Sequence, residues 1–106
     1  MDKYRLFKIK QGKRQVWLDW CTELMTIHKD EASWTLVEED LVNEMCLIFG
    51  EKDDSYVVYR WRTLTGKEKK PANMNIDLNK KHFDKFHECL DQIKPAVDGY
   101  NIDSAK

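Results

Sequence analysis

Two runs of strand-forming residues, "LVNEMCLIF" (41–49) and "SYVVYRWRTL" (55–64), stand on either side of "GEKDD". Val, Ile, Tyr, Phe and Trp suit a pleated surface, and the Gly and Asp between the runs suit a tight reversal. A hairpin centred near Lys52 and Asp53 is therefore predicted. Successive side chains of a strand point to opposite faces, and here apolar residues fall on both faces of both runs. A sheet built on this hairpin needs cover on each side. A chain of 106 residues has material for about one layer of helices. The second cover is expected to be another copy of the chain, a homodimer.

The flanking segments supply the other elements. Residues 4–10, "YRLFKIK", read as a strand that ends at Gln11–Gly12. Trp17, Trp20, Cys21, Leu24, Ile27 and His28 recur at helical spacing. No Gly or Pro interrupts residues 13–39, so one long helix is predicted there. Residues 65–74 form a polar loop, and Asp77 is placed to cap a second helix running through Ile93 to Pro95. The tail offers a weak final strand around "YNI". The order β-α-β-β-α-(β) is that of a ferredoxin-like split βαβ unit, an α+β fold with an antiparallel sheet and two helices on one face. One domain is expected over residues 1–95, with 96–106 as a tail or weak last strand.

Charge narrows the function classes. The net charge is −1, from 18 basic and 19 acidic residues, so neither nucleic acid nor an anionic membrane is an expected partner. The local run of Lys3, Arg5, Lys8, Lys10, Lys13 and Arg14 reads as an edge strand kept soluble by its charges. No apolar run near the N-terminus is long enough for a signal peptide or a membrane span. Cys21, Cys46 and Cys89 are odd in number and far apart, which fits reduced thiols in the cytoplasm rather than a disulfide framework.

"FKIKQGKRQVWLDWCTEL" resembles the opening of an uncharacterised bacterial family of roughly hundred-residue proteins, in which a strand and a Lys-x-Gly-Lys turn lead into a Trp-containing helix. "KDEASWTLVEED", "NEMCLIF", "SYVVYRW" and "IDLNKKHFDKFHECL" are similar, in the same order, to its later segments. The resemblance implies membership of the dimeric α/β barrels, in which two ferredoxin-like sheets pack face to face around a pocket. It marks Glu44, Tyr59 and His82, and brings no activity with it.

"HFDKFHECL" (82–90) looks at first like a metal or acid–base motif. On a helix, however, His82 and His87 stand about 140° apart, and Cys89 lies about 10.5 Å along the axis from His82. A local zinc site is excluded by that geometry. His82 itself occupies an apolar face, either as a hydrogen-bonded imidazole at the edge of the core or as an acid–base group in a pocket. Cys89 reads as a small buried hydrophobe. His28 and Glu31, three residues apart, could form half of a metal site that His82 completes, or simply an ion pair.

Glu44 is the strongest polar anomaly, sharing a strand face with Val42, Cys46 and Ile48. Its cross-strand partner is Arg60 or Trp61, according to the loop register. With Arg60 opposite, Glu44, Arg60 and Arg62 would make a charged cluster on one sheet face. Trp17 and Trp20 match the core stripe of the first helix, while Trp34 and Trp61 are free to edge a cavity. No phosphate loop, nucleophile elbow or paired-carboxylate pattern is present, and no cofactor is expected.

The leading expectation is a dimeric domain that binds a small organic molecule in a partly polar pocket. Glu44, Tyr59, Arg60, Arg62 and His82 are its expected ligand-binding residues. An enzyme is the alternative, a cofactor-independent monooxygenase or isomerase or a haem-handling protein, with His82 and Glu44 as the catalytic candidates. A non-catalytic interaction or scaffold dimer is the third reading.

Overall fold

A computed structural model describes residues 2–64, 67–93 and 96–105. The chain runs β1 (Asp2–Ile9), α1 (Arg14–Thr26), α2 (Lys29–Glu38), β2 (Leu41–Glu51), β3 (Asp54–Thr63), α3 (Asp77–Cys89) and β4 (Leu90–Gln92). All strand pairs are antiparallel and the sheet order is β2-β3-β1-β4. The topology loosely resembles the ferredoxin-like one.

The expected long first helix is two helices. At the break the amides of Ile27 and His28 both turn back to the carbonyl oxygen of Glu23, at 2.9 and 3.3 Å. The His28 ring lies 3.2 Å from Oε2 of the same glutamate. β-Branched Thr26 and Ile27 favour the helix weakly at this point. Asp30 and Glu31 in the first turn of α2 complement the dipole of a new N-terminus. Asp40, at φ 57°, then reverses the chain into β2.

The β2–β3 hairpin turns at Lys52–Asp53, where the Gly–Asp tract places it. Gly50, at φ +87°, is required: a Cβ there would collide with the carbonyl oxygen of Asp54. A bulge at Val42 shifts the register, so that Leu41 faces Thr63 while Asn43 faces Arg62. Val42 is thereby half-exposed and leaves the face it would otherwise share with Glu44.

One sheet face carries Phe7, Ile9, Val57 and Tyr59 and lies under the helices, where Trp17, Trp20, Leu78 and Cys89 complete the core. Phe86 packs edge-on against Phe7, with centroids 4.7 Å apart. The other face carries Tyr4, Leu6, Lys8, Leu47, Phe49, Tyr56, Val58, Arg60 and Arg62.

The expectation of a dimeric α/β barrel is corrected by this topology. The sheet is open, with β2 and β4 as unpaired edges, and it does not close into a barrel. The outer face carries some basic side chains, while Tyr4, Leu47 and Phe49 on it are exposed. Lys8 Nζ sits 4.5 Å from the Tyr56 ring centroid, and Arg62 pairs with Asp2 at 2.8 Å.

The second correction is at the C-terminal end. The predicted second helix stops at Cys89 rather than Ile93, and the chain enters a short last strand at once. That strand is Leu90–Gln92, paired to Phe7–Ile9, and not "YNI". Ile76, not Asp77, occupies the N-cap position of α3, with Asp77 in the first turn. No helix among the described residues is long and apolar enough to cross a membrane.

Candidate functional site

Between α1, α2 and α3 and the covered face of the sheet lies a cleft of about 930 Å³. Its walls are mostly apolar: Leu24, Met25, Ile48, Trp61, Met74 and Phe83 are among them. The register decides which polar groups enter it. Glu44 stands opposite Trp61, and Cys46 opposite Tyr59, all on the helix side of the sheet. Glu44, Tyr59 and His82 therefore line one cleft, from β2, β3 and α3.

His82 projects from α3 between two aromatic elements. The Trp20 Nε1–H donates to His82 Nδ1 at 2.9 Å. An indole nitrogen can only donate, so Nδ1 must accept, and the proton of the neutral ring sits on Nε2. His82 Nε2 lies 3.5 Å from the Tyr59 hydroxyl. Burial holds the imidazole down to about 4, so it is neutral at physiological pH. Burial likewise pushes the Tyr59 phenol well above its ordinary value and keeps its proton in place.

Glu44 has no hydrogen bond or ion pair among the described residues. Burial first, then the nearby Glu39 carboxylate, raise its carboxyl above the ordinary value, while Lys69 pulls the other way. Glu39 is itself held by Lys69 at 2.6 Å. Cys21 and Cys46 also line the cleft, from α1 and β2. Contact with Cys21 lowers the Cys46 thiol, and the same contact together with burial raises Cys21.

Two expected site residues are elsewhere. Arg60 and Arg62 project from the outer face of β3, because their neighbours Tyr59 and Trp61 point inward. Arg60 Nη2 donates to Asn43 Oδ1 at 3.4 Å, and Arg62 is held by Asp2. The Glu44–Arg60–Arg62 cluster does not form. Nor does the His28–Glu31–His82 trio: His28 turns to Glu23 at the helix break, and no three His, Cys, Asp or Glu gather into a metal-binding group among the described residues. Trp61 does edge the cleft, whereas Trp34 is 72% exposed and does not.

Glu39 and Lys69 were not legible as cleft residues. Their pairing joins the end of α2 to the 67–76 loop, a contact without local spacing to announce it. The one usable signal was the Gly- and Pro-free run into Glu39, which places that residue at a helix end.

Fold and cleft together define a small α+β domain with a ligand-sized, apolar-walled recess that has a polar end. The chain belongs to the family of unknown function DUF6176, whose model matches residues 3–99. No curated protein matches the chain, and no solved structure matches it.

Proposed function

We propose that this domain binds a small, largely apolar organic molecule in the cleft under its helices. The observation that carries the reading is Glu44, an ionisable side chain turned into an apolar recess without a partner among the described residues. A donor on a bound molecule would supply the hydrogen bond that this carboxyl lacks among the described residues. A volume of about 930 Å³ suits an organic ligand. The free thiols Cys21, Cys46 and Cys89 support residence in the reducing cytoplasm.

Native mass spectrometry of the protein taken directly from cells tests the reading. A reproducible added mass is expected, lost in Glu44→Gln and in the cleft-filling Ala32→Trp. A mass retained in full by Ala32→Trp would place the ligand outside the cleft. A bare protein that also binds nothing in a ligand-observed NMR fragment screen would sink the proposal.

A second reading is catalytic, and the raised carboxyl of Glu44 favours it. A carboxylate more basic than usual, lining the same cleft as Tyr59 and His82, is suited to abstract a proton from carbon, as an isomerase does. Glu44 takes the proton, and the electron pair shifts onto an oxygen held by the two donors; return of the proton restores the carboxylate. Deuterium uptake into a bound ketone in D2O is the expected sign, and no uptake above the buffer rate would leave binding alone.

A further inference from the structure

The polar end of the cleft is built to give hydrogen bonds rather than accept them. Trp20 occupies His82 Nδ1 at 2.9 Å and thereby directs the imidazole proton to Nε2. The 3.5 Å between Nε2 and the Tyr59 oxygen makes only a weak bond. If Nε2–H leans toward Tyr59, the hydroxyl proton is left to point elsewhere. Both side chains line the cleft, so one acceptor atom seated beside them would meet two donors from two rigid elements.

We infer that the ligand carries a neutral carbonyl oxygen, seated between His82 Nε2–H and the Tyr59 hydroxyl, on an otherwise apolar body. Charge selects the neutral group. The charge of Glu44 acts on the Tyr59 hydroxyl, which disfavours a second carboxylate there. Of the cations lining the cleft, Lys69 is paired with Glu39, Arg5 lies over Trp61, and Lys29 is the third. An ammonium would be drawn to Glu44 but would find donors where it needs acceptors. Phe83, Phe86, Trp61 and Ile48 give the body apolar walls. The inference rests on the binding proposal above and adds the chemical class of the ligand.

Three probes of one shape test it on the full chain: benzophenone, diphenylmethane and benzhydrylamine, followed by amide NMR shifts of the cleft residues. Benzophenone is expected to bind about tenfold more tightly than diphenylmethane, the value of one good hydrogen bond. Tyr59→Phe should remove most of that preference while leaving diphenylmethane unaffected. Nitrogen NMR of the His82 ring should show the proton on Nε2, and a shift of that nitrogen on adding the ketone alone. Equal binding of ketone and hydrocarbon, or tighter binding of the amine, would overturn the carbonyl assignment and leave the cleft as a binding site. If none of the three shifts a cleft residue, the binding proposal falls and this inference falls with it.

Discussion

His82 and Glu44 share a cleft but respond to pH in opposite senses. The imidazole is held near 4 in the folded protein against an ordinary 6.5, so the unfolded chain binds the extra proton first. Stability from this residue is complete above the ordinary value and is lost as pH falls from 6.5 toward 4. The shift corresponds to about 3 kcal/mol at its limit. Glu44, raised in the fold, has the reverse sign: stability declines as pH climbs from its ordinary value through its folded one. Urea denaturation across that range checks both. His82→Leu should flatten the acid limb, yet cost about 1–3 kcal/mol at neutral pH by orphaning the buried Trp20 N–H. Glu44→Gln should be more stable than the natural chain at neutral pH. An acid limb that His82→Leu leaves unchanged would mean that another group governs it.

At the scale of elements, the hairpin and the helix break do most to shape the cleft. Gly50→Ala forces a Cβ toward the Asp54 carbonyl and keeps a positive φ, so a loss of about 3 kcal/mol or more is expected. Gly12 is a fair control, since it also has positive φ (+76°) but nothing within 4 Å of its Cβ position. Gly12→Ala should cost only about 1 kcal/mol. Thermal melts of the two variants distinguish close approach from backbone strain; equal losses would show that the approach relaxes freely. The break between α1 and α2 matters for a different reason. It frees α2 to close one wall of the cleft with Ala32 and Leu36, positions that a single straight helix would carry onward from α1.

At the scale of the molecule, the three helices cover one sheet face while the opposite face stays open. An occupied cleft ties α2, α3 and the sheet together, so ligand binding and stability are linked. A tenfold excess of benzophenone over its Kd should raise unfolding free energy by about 1.4 kcal/mol. Thermal unfolding at graded concentrations reads this out. A melting temperature that does not respond, despite NMR-detected binding, would mean that the unfolded chain binds as well.

The sequence by itself determined the α+β class, the hairpin turn and the apolar face of α3, because each depends on periodicity or turn chemistry among near neighbours. It also singled out Glu44 and His82, since a polar group on an apolar face is visible in the spacing, while Tyr59 was marked only by the resemblance. Their meeting was decided only by tertiary structure. The two-residue turn at Lys52–Asp53 fixes the register of β2 on β3, and that register placed Glu44 opposite Trp61 rather than Arg60. The same alternation sent Arg60 and Arg62 to the outer face. That face keeps Tyr4, Leu47 and Phe49 exposed beside its basic side chains, and the sheet stays open rather than closing into a barrel. The Glu39–Lys69 pair and the Trp20–His82 bond span 30 and 62 positions. Contacts at such separations are set by how whole elements dock, and no local pattern encodes them.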